Sequence, residues 1–584
     1  MDKTGSSTMK ANRLTRYVRQ PSHLLLLGFL ITSLVLLLTP MSTVDVFSDG
    51  TYLATVVREV VETERYATAS PVGWVDPHLT PLSLDPPVLN PPLFIVLNAA
   101  LASVTGDIVG ALNVTNILPI VMLLVLFHEV TKVVFGEDAS RYALLFLAFT
   151  PMFIWVAIHR LIEPLVYFLS SSSFLLSVLY LRKPSWGIAV TLSLILSALL
   201  QTKLTGVPVA LSVAAALVLW RRDKKTLLIL GLTGILLTPY IYGDLAPKGT
   251  VSYGPPGIPY LDTDLFQPWW TMKRAPWDEE LKQITNEEAL FNIRIQVERE
   301  RRDRLQDYVS SGRPLSVLQF LSALPVDPGA NVNNFSPEAR RTFYLFLPLF
   351  VLGLFVFTKK RLWLTEYGKI LLLSTLIMLP FHLLTGDRRY LFSLALLYSV
   401  VYALGLREAL GAARARQLKL LIIGGLLVTA TIMTYSQIRY VQRFSNSFRH
   451  DYIKPPGGLT ELAEFLEGTS IPPDENVFTT SNAEVAWYTH RPTIWDYRIL
   501  FLNSTDDVVR FYSQYNATYL IISNHFLQEE VYSTIAGDWV PNDKANWVGN
   551  GIPRDSAFYF MLTEEIHFEK LNEYIAFTVY RFRP

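Results

Sequence analysis

Cysteine is absent from the 584-residue chain. That excludes a disulfide framework, thiol catalysis and a cysteine-based zinc site, although it does not identify a compartment. Charge is scarce as well: 17% of residues are charged, against about 25% in an ordinary soluble chain. Neither sign dominates, with 51 basic and 50 acidic residues, so no global field favours nucleic acid as a partner. No repeat and no low-complexity tract interrupts the chain. What abounds is apolar: 51% hydrophobic residues, 12% aromatic residues and a mean hydropathy of +0.29. That aromatic share excludes a disordered chain, and the long uncharged blocks exclude a wholly soluble one.

A bilayer span needs about 20 apolar residues. The first such block is 24–44, preceded by Lys10, Arg13, Arg16 and Arg19. Its far flank, Thr39-Pro40-Met41-Ser42-Thr43, is a poor signal-cleavage site, so the block reads as an anchor. Further blocks lie near 108–135, 142–158, 164–181, 186–200, 204–220, 226–242, 343–357, 370–384, 390–406 and 418–435. The total is about eleven spans. Residues 91–104 are apolar but short, and read as a re-entrant or interfacial helix.

Charge falls unevenly between the blocks. One set of loops holds the N-terminal cluster, Lys132 with Arg141, Arg182-Lys183, Arg221-Arg222 with Lys224-Lys225, Lys359-Lys360-Arg361, and Arg407 with Arg414, Arg416 and Lys419. The alternate short loops hold few: Arg58, Arg65, Arg160, Lys203 and Arg388-Arg389. The positive-inside rule puts the first set in the cytoplasm. The expectation is a multi-pass protein of the cell membrane with a cytoplasmic N-terminus. Residues 1–435 would form the transmembrane module, with outer loops 45–90 and 243–341, the second carrying a polar helix over 278–308. Residues 436–584 would form an extracytoplasmic domain. There, 460–467 and 506–515 read as helices and 476–480 and 519–523 as strands, which suggests a small α/β module.

A charge at the bilayer centre costs about 2.5–3.5 kcal/mol on insertion scales, so charges gathered at the outer boundary are the candidates for chemistry. Asp49 follows the first block in Val46-Phe47-Ser48-Asp49-Gly50-Thr51-Tyr52. Residues 52–62 space their apolar groups helically, which puts Asp49 at a helix N-terminus, as a cap or as an acting carboxylate. Asp45 is its nearest competitor. In Asn90-Pro91-Pro92-Leu93 the prolines suit the first turn of a helix and hold Asn90 at its mouth, where it too can cap. His159 and Glu163 are four apart and would share a helical face, which makes them candidate ligands for a divalent metal ion. Two ligands do not make a site, and a polar loop pair is the plainer reading. Arg388, Arg389 and Tyr390 join two late blocks on the outer side. Arginine forks bind phosphate oxygens bidentately; headgroup anchoring is the alternative. Lys203, in Gln201-Thr202-Lys203, is a second outer cation and equally open. None of these patterns requires a cofactor.

Taken in order, these parts resemble the GT-C integral-membrane glycosyltransferases, especially the protein O-mannosyltransferase and aminoarabinose transferase branch. The resemblance covers residues 24–406. It rests on Asp-x-x-Tyr (Asp49 to Tyr52), polar-Pro-Pro-Leu (Asn90 to Leu93), Gly106, Glu163-Pro164-Leu165, Thr202-Lys203 and Arg389-Tyr390. It implies a GT-C-like, α-helical polytopic membrane protein that takes its sugar from a polyprenyl-phosphate carrier, dolichyl phosphate being one example. The site would open outward, with Asp49 serving the acceptor, a glycan, lipid or protein. A hydroxyl is a poor nucleophile and gains about 10²–10⁴-fold from a general base. The phosphate leaving group needs positive charge rather than a second acid, hence Lys203, Arg388 and Arg389, with Tyr52, Asn90 and Tyr390 as further substrate contacts. Two departures stand out: Gly50 where many relatives carry a second acid, and uncharged Asn90 where many carry Lys or His. In the tail, Trp495-Asp496-Tyr497-Arg498 lacks the first Trp and last Gly of the oligosaccharyltransferase motif Trp-Trp-Asp-Tyr-Gly and is set aside. A transporter or lipid flippase is the alternative from another class, and a membrane scaffold or receptor a third.

Overall fold

The computed structural model describes residues 49–63, 72–73, 93–148, 162–203, 206–240, 344–385, 392–448 and most of 458–584. The first expected span, the second outer loop with its expected helix, and Asn90, His159, Arg388, Arg389 and Tyr390 lie outside the described residues.

The described residues begin with α1 (Asp49–Thr63) and continue through α2 (Leu93–Thr105), α3 (Ile108–Phe135), α4 (Glu137–Ala148), α5 (Glu163–Arg182), α6 (Trp186–Leu200), α7 (Val207–Trp220) and α8 (Lys224–Tyr240). From residue 347 come α9 (Leu347–Lys359), α10 (Glu366–Thr385), α11 (Phe392–Ala412) and α12 (Arg416–Phe448). Among the described residues, α3 and α5 are long and apolar enough to cross a bilayer. At about 1.5 Å per residue, the 28 residues of α3 and 20 of α5 reach past or match a hydrocarbon core of about 30 Å. Helices α2, α6, α7 and α9 are apolar but shorter. Of the eleven expected spans, those at 108–135 and 164–181 meet this criterion among the described residues. The short block at 91–104 is a 13-residue helix, as its length suggested.

Helix α5 is the buried centre of the bundle, and its run Ser170–Ser173 lies wholly inside. Small residues let membrane helices approach closely, and α9 meets α11 through glycines. A Cβ on Gly353 would stand 1.9 Å from the Val401 carbonyl oxygen, and one on Gly405 would stand 1.9 Å from that of Leu349. Tyr402 fills the adjoining space against Phe146 and Phe350, with ring centroids 5.0 Å away in each case. Gly106 turns the chain between α2 and α3 at φ +70°, a conformation that side-chain-bearing residues rarely take.

The basic loops gather at one end of this bundle. Arg182 donates to Val133 O at 2.7 Å and Arg407 to Phe135 O at 3.3 Å. Lys225 donates to Pro184 O at 3.2 Å, Lys369 sits over the Trp220 ring, and Lys360 pairs with Glu408 at 3.9 Å.

Residues beyond α12 build a sheet with helices on both faces. Its elements are α13 (Leu459–Gly468), β2 (Asn476–Thr479), α14 (Asn482–Thr489), β3 (Thr493–Asp496), α15 (Thr505–Ser513), β4 (Ala517–Ser523), α16 (Ala557–Thr563), β7 (Phe568–Glu573) and β8 (Phe577–Phe582). A separate antiparallel pair is β5 (Glu530–Ser533) with β6 (Asp538–Pro541). Side chains alternate across a strand, and β4 obeys this with apolar residues on both faces. Leu520 and Ile522 join one core with Phe511, Tyr512, Phe558 and Met561, while Ile521 joins the other with Leu462, Leu466 and Val485. Trp495 packs in the first core, 5.3 Å from Phe478. The strand order is β1-β3-β2-β4-β8-β7. The edge strand β1 (Val72–Gly73) comes from the segment between α1 and α2, and pairs in parallel with β3 through Val72↔Trp495 and Gly73↔Asp496.

Candidate active site

The end of the bundle away from the basic loops collects several of the residues that the sequence singles out. Helix α1 begins at Asp49, and its face Leu53, Ala54, Val56 and Val57 is buried in the bundle core beside α2. Tyr52 is half-buried against the same core. The first turn of α2 follows Pro91-Pro92, and its Leu93 N–H donates to Gln201 O at 2.9 Å. A helix start leaves backbone N–H groups without intrahelical partners, and the carbonyl that ends α6 satisfies this one. Gln201 in turn donates from Nε2 to Ser197 Oγ at 2.9 Å and Leu236 O at 3.2 Å. Leu93 at the start of α2 thereby meets Gln201, the residue before Thr202-Lys203.

Lys203 leaves that turn to reach Glu163. Its Nζ donates to Glu163 Oε1 at 2.7 Å. Glu163 opens α5, with Pro164 beside it in the first turn and only 1% of its surface exposed. A carboxylate there faces the positive end of the helix dipole as well as the ammonium. Offered by the sequence as a metal ligand with His159, Glu163 is engaged by a lysine, and no cluster of three His, Asp or Glu side chains able to hold a metal occurs among the described residues. Lys203, offered as a phosphate cation, is met as half of an ion pair. The backbone around it is firmly set: Lys203 N bonds Leu199 O and Gly206 N bonds Lys203 O. Asn98 on α2 accepts from Thr115 Oγ1 at 2.8 Å, which fixes α2 to α3 below the site.

Sequence reasoning missed the contact between α1 and the tail. Arg58, only 4% exposed, donates from Nη2 to Ala486 O at 2.9 Å and from Nη1 to Trp487 O at 3.1 Å. Those carbonyls belong to the last turn of α14, where intrahelical donors run out. Nη1 also lies 3.0 Å from His490 Nδ1. A guanidinium only donates, so this imidazole nitrogen accepts. The guanidinium carbon stands 5.4 Å from the Trp487 ring centroid. Burial lowers both groups from their ordinary values: Arg58 against the pull of Glu62 and Glu59, and His490 with further lowering from Arg58. A clue was available. Arg58 follows Ala54 by four positions on a buried face otherwise free of charge, with Thr51 and Thr55 beside it, and an arginine on a buried face needs partners.

No family model matches the chain, and no curated protein sequence matches it. Solved structures do. ArnT from Cupriavidus metallidurans in the apo state aligns over 95% of this chain and 97% of its own, with TM-score 0.54 and 11% identity. The same protein bound to undecaprenyl phosphate gives 0.50 over the same shares, also at 11% identity. The Archaeoglobus fulgidus oligosaccharyltransferase tethered with an acceptor peptide gives 0.52 at 13% identity, over 97% of this chain and 75% of its own. With its helical bundle and its C-terminal sheet, this chain has a GT-C-like fold, that of membrane glycosyltransferases.

Proposed function

We propose that the protein is a membrane glycosyltransferase that moves a sugar from a polyprenyl-phosphate carrier to an acceptor at the extracytoplasmic face. The observation that carries this reading is the meeting, at one end of a GT-C-like bundle, of the α2 start, the Gln201–Lys203 turn and the Glu163–Lys203 pair, next to α1, which begins at Asp49. The likeness to ArnT, solved with undecaprenyl phosphate, supports a carrier of that kind. The clustering of basic loops at the opposite end supports a cytoplasmic side there and an outward-opening site. Residues 436–584 are then extracytoplasmic and 1–435 the membrane module.

In this mechanism Asp49 accepts the proton of an acceptor hydroxyl as that oxygen attacks the anomeric carbon. The bond between that carbon and the phosphate oxygen breaks, and the polyprenyl phosphate leaves as an anion. Lys203, Arg388 and Arg389 neutralise the phosphate, and Tyr52, Asn90 and Tyr390 complete the substrate contacts. Purified protein given a polyprenyl-phosphate sugar and an acceptor extract should form a covalent glycosyl product. Asp49→Asn should lower the rate by about 10²–10⁴-fold. A fully active Asp49→Asn variant removes Asp49 from the mechanism. Uptake of the lipid-linked sugar into vesicles with no covalent product would instead point to a transporter.

A further inference from the structure

The first outer segment is attached to the tail at two points. One is the guanidinium of Arg58, which caps the C-terminal end of α14 through two carbonyls and stacks on Trp487. The other is β1, which extends the tail sheet from residues only nine positions past the end of α1. Between them, α1 is clamped on a second side by α2 and the bundle core. His490, just past α14, takes a left-handed φ of 53°, a conformation in which helices often end, and this turn presents Nδ1 to Arg58. Asp49 and Arg58 share one helix, nine residues or about 13.5 Å apart along its axis. A helix transmits a change of tilt along its length, and small misplacements of a catalytic group cost large factors in rate.

We infer, resting on the glycosyl-transfer reading, that Arg58 is a positioning residue: its clamp on the end of α14 makes the tail sheet a brace that sets the pose of α1 and so of the Asp49 carboxylate. The tail then has a catalytic consequence without contributing a reacting group. A long-range clamp of this kind predicts a specific kinetic pattern. Loss of Arg58 slows the chemical step while the lipid donor, held by other elements, binds as before.

The test uses the full-length protein in lipid nanodiscs, with hydrogen exchange and transfer kinetics measured on the same samples. Arg58→Ala should raise amide exchange over residues 49–57 about tenfold while β4 and β8 keep their protection. It should lower kcat roughly 10–100-fold with KM for the polyprenyl-phosphate sugar within about twofold. Arg58→Lys, which keeps a cationic donor, should regain part of both. Should Arg58→Ala give no folded protein, Arg58→Gln carries the same comparison. Unchanged exchange over residues 49–57 overturns the clamp. Faster exchange there with unchanged kcat overturns the positioning role. If the wild-type protein transfers no sugar, the glycosyl-transfer reading fails, and the exchange comparison still decides whether Arg58 holds α1.

Discussion

Glu163 is 1% exposed, and a carboxylate that deep needs a partner. Lys203 supplies one at 2.7 Å. Removing one member of a buried pair leaves the other uncompensated, at a cost of about 3–5 kcal/mol, whereas removing both with retained volume is often nearly neutral. Lys203→Met should therefore lower the unfolding midpoint of the purified protein, and Glu163→Gln combined with Lys203→Met should recover most of the loss in the same detergent. A double variant no more stable than the single would show that the ion pair is not what the lysine provides. Each residue stands out in the sequence as an outer-side charge, but their pairing does not, because forty positions separate them and only the α5 start and the α6–α7 turn bring them together. Arg58 shows the same limit more strongly. Its buried-face position is written in the local pattern, yet its partners lie more than four hundred positions away.

Helices were the most legible elements. The apolar blocks at 108–135 and 186–200 coincide with α3 and α6; α6 holds no charged residue, and α3 carries Glu129 and Lys132 only in its last two turns. The final block was read only to 435, but α12 runs 33 residues to Phe448. Hydropathy marks where apolar surface stops; the helix itself continues through Ser436–Phe448 because that stretch holds neither proline nor glycine. In the tail, β4 was legible as a buried strand because Leu520, Ile521 and Ile522 leave no polar face. The contact between α9 and α11 depends on what is missing from side chains. With the Leu349 carbonyl 1.9 Å from a notional Cβ, Gly405→Val must push the two backbones apart. Overpacking typically costs about 1–3 kcal/mol, and a backbone obstacle leaves little room to relax. We expect Gly405→Val to lower the thermal midpoint by an amount of that order or to abolish a monodisperse chromatographic peak. Gly411→Val, where no atom lies within 4 Å of the added carbon, should behave as wild type. Equal stability of the two variants would contradict the close approach.

Across the whole molecule, bundle and tail meet where Arg58 lies against His490, an imidazole able to take up a proton. Burial holds His490 below its ordinary value of 6.5, and Arg58 adds to this, while Glu62 on α1 and Glu467 on α13 oppose it. A histidine freed from the contact binds a proton more readily than the docked one. The contribution of the contact is therefore complete above about pH 6.5 and declines as pH falls through the lowered native value. Exchange protection of α1 and α14, corrected for intrinsic rates, should weaken between about pH 7.5 and pH 5, and His490→Gln should flatten that dependence. An unaltered slope in the variant would assign it to other groups. None of this was legible beforehand, since a lone histidine in a polar tail carries no mark of its neighbour.

The pairing of β1 with β3 also orders events in time. Val72 leaves the ribosome roughly 420 residues before Trp495, an interval of about 20–80 s at usual elongation rates. Throughout that wait the young segment has no template to lie against, so a nascent chain halted before β3 leaves the Val72–Gly73 strand unpaired, and a stretch translated late completes one translated long before.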